Sequence, residues 1–163
     1  MADESRPWKF VGGEAQVFEV SIVVKNLEET IEQWRKLFGW EPYIVQEQAV
    51  PTFELHGEKR KGAGMKIACY HAGPVRFELI EAAGGESVYS EFVEQRGVGV
   101  QHIGIRVSDH DAEVAELRKR GVGVLQHLDV PPVKLKVSYL DTYDVAGVSF
   151  ELVQSPTIPL ETE

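Results

Sequence analysis

The sequence contains little cysteine, no long apolar run and few basic residues. Cys69 is the single cysteine among 163 residues, which excludes an intrachain disulfide and a zinc cluster built on cysteines. No apolar run approaches the roughly 18 residues that a membrane-spanning helix requires. Lysine and arginine number 17 against 26 aspartate and glutamate, a formal net charge of -9, which disfavours nucleic-acid and anionic membrane partners. We expect neither partner, no secretory signal and a cytoplasmic location.

The remaining composition is that of an ordinary globular domain. Hydrophobic residues make up 43% and charged residues 26% of the chain, so a core can form without support from a disulfide or a metal. The length fits a single domain, on a prior of roughly 150 residues per domain. These features favour a folded protein that handles small molecules or other proteins.

The two halves of the chain repeat the same order of elements. Residues 18–24 resemble residues 101–107, and residues 77–80 resemble residues 150–153. Each half therefore has an opening strand, a helix, and a closing strand that contains Phe-Glu-Leu. The first half carries about ten extra residues, which we place between Val50 and Gly64. This segment is either a substrate lid or a solvated surface loop.

Helix signals follow each opening strand and also separate the halves. The first helix is expected between Asn26 and Gly39, and the second over about residues 111–120 after Ser108 or Asp109. A linker helix is expected between Ser87 and Gly97. Alternating and β-branched residues predict eight strands. These are Val17–Val24, Glu41–Gln46, Met65–His71, Val75–Glu81, Val100–Val107, Val122–His127, Val133–Leu140 and Val148–Val153.

The predicted fold is α+β, with two tandem βαβββ modules whose curved mixed sheets form an open barrel-like cleft. The first module covers residues 14–82, the linker helix residues 83–98 and the second module residues 99–155, with tails at 1–13 and 156–163. A module of roughly 70 to 80 residues has only a marginal core alone. We therefore expect the pair of modules, and neither half alone, to close a pocket.

Four ionisable side chains fall at equivalent positions of the opening and closing strands. Because side chains alternate along a strand, these four point away from the helices, while apolar residues such as Phe18 face them. If the sheets curl together, three carboxylates meet, and they repel one another unless a cation lies among them or some are protonated. Oxygen ligands with one imidazole suit a divalent metal: Mn²⁺, Co²⁺, Ni²⁺, Mg²⁺ or Zn²⁺. The four residues are Glu19, Glu78, His102 and Glu151.

Two other interpretations of these residues remain open. Polar residues at every second position are also typical of an antiparallel sheet with one face in water. Arg76 and Arg106 lie on the same faces as the carboxylates and could neutralise two of them without a metal. In that case the protein would be a metal-free enzyme or a metal-free binding module.

The sequence resembles the vicinal-oxygen-chelate superfamily, which includes glyoxalase I, methylmalonyl-CoA epimerase, extradiol dioxygenases and bleomycin/fosfomycin resistance proteins. The resemblance covers about residues 17–154, and the linker up to His102 is most similar to the epimerase branch. It implies metal ligands at Glu19, Glu78, His102 and Glu151. The matching motifs are Val20–Gly39, Phe77–Glu81, Gly84–Ser87, Gln101–Val107 and Gly147–Val153.

The sequence also departs from members of this family. The first ligand is usually histidine in the epimerases, and here it is Glu19. The catalytic glutamate pair of the epimerases is replaced by residues 61–63, Lys-Gly-Ala, so that base is missing unless the longer loop supplies another, for example Glu54 or Glu58. His102 is the one histidine at the four ligand positions, which argues against the two-histidine iron site of a ring-cleaving dioxygenase.

The resemblance and the residues together predict a divalent-metal-dependent enzyme that abstracts a proton alpha to a carbonyl group. Glu151 is the expected base, with Glu19 across the site to return the proton. The reaction class is an epimerase, an isomerase or a glyoxalase-like lyase, and an acyl-CoA thioester is one candidate substrate. The alternative is a metal-free small-molecule binding or resistance-type module of the same fold. We expect a homodimer in either case.

Overall fold

The computed structural model describes residues 10–11 and 13–157, so most of both predicted tails lies outside it. In the described part, no helix is long and apolar enough to cross a membrane. The helices are α1 Leu27–Phe38, α2 Val88–Arg96, α3 His110–Lys119 and the short α4 Tyr143–Ala146, with a 3-10 turn at Pro131–Val133. The strands are β1 Ala15–Val23, β2 Ile44–Ala49, β3 Phe53–Leu55, β4 Glu58–Arg60, β5 Gly64–Ala72, β6 Val75–Ala82, β7 Gly99–Val107, β8 Val124–Val130, β9 Leu135–Leu140 and β10 Ser149–Gln154.

The ten strands form a single mixed sheet in the order β2-β5-β6-β1-β7-β10-β9-β8-β3-β4. β1 lies parallel to β6, and β7 lies parallel to β10, so the two halves have the same local arrangement. Antiparallel pairing of β1 with β7 joins the halves at the centre. The sheet curls into a half-barrel, which confirms the α+β class and the cleft. The two predicted sheets are one continuous sheet because the two opening strands pair with each other.

The predicted helix boundaries are confirmed by their caps. The Asn26 side chain accepts a hydrogen bond from the backbone N–H of Glu29 at 3.0 Å, and Gly39 ends α1 with a φ of 67°. Ser87 caps α2 through a capping box, and the Asp109 side chain accepts a hydrogen bond at the start of α3. α1 and α3 therefore begin directly after the opening strands and cover the convex face of the sheet.

The extra segment of the first half contains a β-hairpin. β3 and β4 pair around a tight turn at His56 and Gly57, and β3 adds to β8 of the second half. Phe53 and Leu55 are buried in the core between the halves, while the charged residues of β4 lie on the surface. The segment is therefore not a solvated loop throughout, and its role as a lid stays a prediction. The strands are too short for alternation to reveal them.

One side chain of β1 faces the opposite way from the prediction. The pairing of β1 with β7 shifts register between Val17 and Glu19, and such a bulge turns two successive side chains to the same face. Phe18 therefore lies in the core between the halves, beside Glu19, while Ile22 packs against the α1 side of the sheet as expected.

Candidate active site

A cavity of about 530 Å³ opens on the concave face of the sheet. Its size is in the range of small-molecule sites. Three of the four predicted site residues, Glu19, Glu78 and Glu151, lie on its floor. The other lining residues are Phe18, Gln48, Ala49, Val50, Pro51, Met65, Tyr89, Gln126, Leu128, Val130, Leu135, Val137, Tyr139 and Val153.

Glu19, His102 and Glu151 converge at the centre of the sheet. Each offers one ligand atom, and these atoms lie within 4.8 Å of one another. The Nε2 atom of His102 is 3.3 Å from Oε1 of Glu19 and 3.5 Å from Oε2 of Glu151. All three side chains are buried, with exposures of 2%, 0% and 5%. The strand register therefore brings together residues that are far apart in the sequence.

Gly104 makes this close approach possible. On β7 it lies opposite Glu19 in one neighbouring strand and opposite Glu151 in the other. A Cβ atom at Gly104 would lie 3.1 Å from a carboxylate oxygen of each glutamate and 2.9 Å from the Phe18 ring. A side chain here would fill the space that the two carboxylates enclose. The sequence did not indicate this role for Gly104. Alternation predicts the face of the sheet on which a glycine lies, but not which side chains of neighbouring strands surround it.

Glu78 lies on the cavity floor but outside the group of three. It accepts a hydrogen bond from the Ser21 hydroxyl at 2.8 Å, and its Oε1 atom is 3.6 Å from Nη2 of Arg76. Arg76 lies directly opposite Glu19 in the β1–β6 pair and also donates a hydrogen bond to it. Arg76 thus neutralises part of the acidic cluster. The sequence alternative in which arginines offset the carboxylates without a metal expected such a contact. Arg106 instead places its guanidinium 5.1 Å from the centre of the Phe18 ring.

The three carboxylates differ in their tendency to hold a proton. Burial alone would raise the pKa of Glu19, but its hydrogen bond to His102 and the charges of His102 and Arg76 lower it below the usual value. Burial and the charge of Glu19 raise the pKa of Glu78 to about 7. The same two causes raise the pKa of Glu151 well above its usual range. The floor therefore pairs one firmly ionised carboxylate with two that bind protons readily.

The group of three suits a divalent metal. Oε2 of Glu151 is buried and accepts no hydrogen bond from the described residues, although a buried carboxylate oxygen normally has a partner. The space left by Gly104 lies between this atom and Oε1 of Glu19. Two carboxylates and one imidazole are a donor set for Mn²⁺, Co²⁺, Ni²⁺, Mg²⁺ or Zn²⁺. Glu19, His102 and Glu151 would hold the ion, while Glu78 is engaged by Ser21 and Arg76.

Two residues that sequence reasoning missed orient His102. Nδ1 of His102 lies 2.5 Å from Oε1 of Gln101, while the Gln101 amide donates to the Tyr143 hydroxyl at 2.9 Å. The Tyr143 hydroxyl donates in turn to the backbone carbonyl of Gln101 at 3.2 Å. Because an amide oxygen only accepts, Nδ1 carries a proton, and Nε2 faces the two carboxylates.

A pair of tyrosines adjoins Glu151. The hydroxyl groups of Tyr89 and Tyr139 are 2.5 Å apart, and the Tyr139 ring stands edge-on to His102 with centroids 5.1 Å apart. Burial and the charge of Glu151 raise the pKa of both phenols well above the usual value, so both stay neutral. Tyr139 lies directly opposite Glu151 in the pairing of β9 with β10. No sequence signal marked these tyrosines, which lie on different elements.

Comparisons with solved structures agree with this fold. No curated protein matches the chain. A methylmalonyl-CoA epimerase from Streptomyces coelicolor is 24% identical, covers 86% of this chain and 97% of its own, and superposes with a TM-score of 0.60. The epimerase from Mycobacterium tuberculosis is 23% identical, with 88% of each chain covered and a TM-score of 0.60. A hypothetical protein from Bacillus halodurans is 20% identical, with 91% and 98% covered and a TM-score of 0.64.

These structures share the fold of the chain, and a match to a family sequence model identifies its superfamily. The sequence model of the glyoxalase/bleomycin resistance protein/dioxygenase superfamily matches residues 19–137, most of the chain. The match contains three of the four candidate ligands, while Glu151 lies beyond its end. The resemblance found in the sequence is thereby confirmed. The chain belongs to the glyoxalase/bleomycin resistance protein/dioxygenase superfamily.

Proposed function

We propose that this protein is a divalent-metal-dependent enzyme that abstracts a proton alpha to a carbonyl group. The observation that carries the proposal is the buried convergence of Glu19, His102 and Glu151 on the cavity floor, with Oε2 of Glu151 unpaired among the described residues. A bound divalent ion would act as a Lewis acid and stabilise negative charge on the carbonyl oxygen as the proton leaves. Epimerases, isomerases and glyoxalase-like lyases share this step.

Glu151 is the base in this proposal. Its raised pKa gives it the affinity for a proton that a base requires, and its side chain lines the cavity. Transfer of the alpha proton breaks the C–H bond, forms an O–H bond on Glu151 and leaves the electron pair on the enolate. Glu19, the partner expected from the sequence, is held ionised by His102 and Arg76. Glu78, with a pKa of about 7, has the property required to return the proton.

An acyl thioester is the substrate class that the structural neighbours favour. Two such epimerase structures are complexes with 2-nitronate-propionyl-CoA and with methylmalonyl-CoA. The present chain lacks the glutamates that the epimerase branch has at residues 61–63. Glu54 and Glu58 do not line the cavity, so the hairpin supplies no replacement base. The carboxylates of the floor must therefore carry both proton transfers.

A metal-free binding module is the second candidate function. The observation in its favour is Arg76, which contacts both Glu19 and Glu78 and so reduces the need for a cation. The mainly apolar cavity also suits a bound organic molecule. In this case the protein would bind its ligand without any change in affinity when divalent ions are removed.

Metal analysis separates the two candidates. Protein purified without chelators is expected to contain about one divalent ion per chain, or to bind added Mn²⁺ in a titration followed by electron paramagnetic resonance. Glu151→Gln removes a ligand charge and is expected to weaken binding by more than the roughly 10- to 100-fold that the loss of an orienting partner costs. Glu94→Gln, at an exposed position of α2, is the matched control. Absence of bound metal together with no binding of Mn²⁺ or Co²⁺ would exclude the metal-dependent mechanism.

A further inference from the structure

The walls of the cavity are built from hydrocarbon side chains of both halves. Met65 comes from β5 of the first half, whereas Leu128, Leu135 and Val137 come from β8 and β9 of the second. Val137 is buried in the core between the halves, and Met65, Leu128 and Leu135 pack against that core. Any part of a ligand above the floor is therefore transferred from water to an apolar surface.

The charged groups that line the cavity are all acidic. Glu19, Glu78 and Glu151 lie on the floor, and the described lining includes no lysine, arginine or histidine. Arg76, the cation that contacts this floor, is engaged by Glu19 and Glu78. A bound divalent ion would favour the ionised form of all three carboxylates, and their three negative charges would balance that ion and Arg76. No surplus positive charge would then face a ligand.

We propose that the cavity selects carbonyl compounds with uncharged, apolar substituents and rejects those that carry a carboxylate. The inference rests on the proposed function in that the carbonyl oxygen is placed at the floor, where the metal would be. A carboxylate beside the aliphatic walls would lose much of its hydration without gaining a cationic partner among the lining side chains. An alkyl group of the same shape gains from the same burial. The cavity therefore discriminates against a carboxylate substituent because binding would leave its negative charge buried without a partner.

A pair of isosteric thioesters tests this selection. Isovaleryl and malonyl thioesters of N-acetylcysteamine differ only by an isopropyl group in place of a carboxylate, and both are small enough for the cavity. Titrations of Zn²⁺-loaded and metal-free protein, followed by NMR of leucine, valine and methionine methyl groups, are expected to give at least about tenfold tighter binding of the isovaleryl ester. Equal or tighter binding of the malonyl ester, or no isovaleryl binding, would overturn the inference.

A wall variant provides the reciprocal test. Leu135 is half-buried, so Leu135→Lys can place a cation on the wall without removing a fully buried core residue. This variant is expected to lose the isovaleryl preference and to gain malonyl affinity, whereas Leu135→Met keeps the wild-type order. An unchanged order in a folded Leu135→Lys protein would count against the inference. If that variant does not fold, the wild-type titrations still decide.

The result is distinguishable from failure of the proposed function. Mn²⁺ binding reports on the metal centre, and thioester preference reports on the cavity walls. A protein that binds no divalent ion but prefers the isovaleryl ester would disprove the metal-dependent mechanism and support the apolar selection. A protein that binds Mn²⁺ but prefers the malonyl ester would support the metal centre and disprove the apolar selection.

Discussion

Gln101 and His102 are neighbours in sequence, and their side chains are joined by a hydrogen bond of 2.5 Å from Nδ1 to Oε1. Adjacent residues on a strand normally point to opposite faces. The contact fixes the position of one imidazole proton and leaves Nε2 directed at Glu19 and Glu151. A partner that orients a metal-binding histidine in this way is typical of metal sites.

Gln101→Leu is expected to weaken Mn²⁺ binding by about 10- to 100-fold, because the histidine loses its orienting acceptor. Gln101→Glu keeps the acceptor and is expected to retain tighter binding than Gln101→Leu. Nitrogen-15 NMR of the imidazole in the wild type is expected to show a protonated Nδ1. Unchanged affinity in Gln101→Leu, with the wild-type proton position, would show that Gln101 does not orient the ring. Tyr143→Phe frees the amide to rotate and is expected to have an intermediate effect.

Gly104→Ala is expected to disrupt the floor, because the added Cβ would lie 3.1 Å from both Glu19 and Glu151 and 2.9 Å from the Phe18 ring. We expect a loss of about 1–3 kcal/mol in unfolding free energy and reduced Mn²⁺ affinity. Urea denaturation and metal titration measure the two effects. Gly123→Ala is the control, since its Cβ would meet the Asp141 side chain at 3.4 Å, an ordinary contact. Similar losses in both variants would contradict the interpretation.

His110 is expected to make the fold sensitive to acid. Burial lowers its pKa, and nearby His127 and Lys136 lower it further, although Asp111 acts in the opposite direction. The native state holds this imidazole neutral, with its Nε2 atom 2.9 Å from the Ser138 hydroxyl. The unfolded state takes up a proton below a pH of about 6.5. Its contribution to stability is therefore present at neutral pH and is lost as the pH falls through that value.

Urea denaturation at a series of pH values measures this effect. The unfolding free energy of the wild type is expected to fall relative to that of His110→Gln as the pH drops from about 7.5 to about 5.5. The raised pKa values of Glu78 and Glu151 act in the opposite direction, but they are present in both proteins and cancel in the comparison. His71→Gln, at an exposed position, is the control for loss of a histidine as such. Parallel slopes for the wild type and His110→Gln would assign the acid sensitivity to other groups.

Phe53→Ala is expected to destabilise the protein by about 3–5 kcal/mol, because Phe53 is 3% exposed in the core between the halves. Lys59→Ala, on the exposed β4 strand, is expected to change stability by less than about 0.5 kcal/mol. Thermal and urea denaturation measure both variants. If both variants lose less than about 0.5 kcal/mol, the β3–β4 hairpin does not contribute to the core as we infer.

Alternation along the closing strands correctly predicted the faces of several site residues. On β6 and β10, Leu79 and Leu152 pack toward the helices, so Glu78 and Glu151 are on the concave face. The same reasoning failed at Phe18, because a bulge in β1 breaks the alternation. A bulge depends on how two strands pair, which the sequence of one strand does not reveal.

The homodimer and the cytoplasmic location stay predictions.

The sequence by itself determined the twofold order of elements, the helix caps and the side of the sheet on which the carboxylates lie. These features depend on short-range periodicity and on capping residues, which are local properties of the chain. Only the tertiary structure decided that β3 pairs with β8, that Arg76 bridges Glu19 and Glu78, and that Gly104 leaves the central space. Those relationships arise from register between distant strands, and a one-residue shift would change every neighbour.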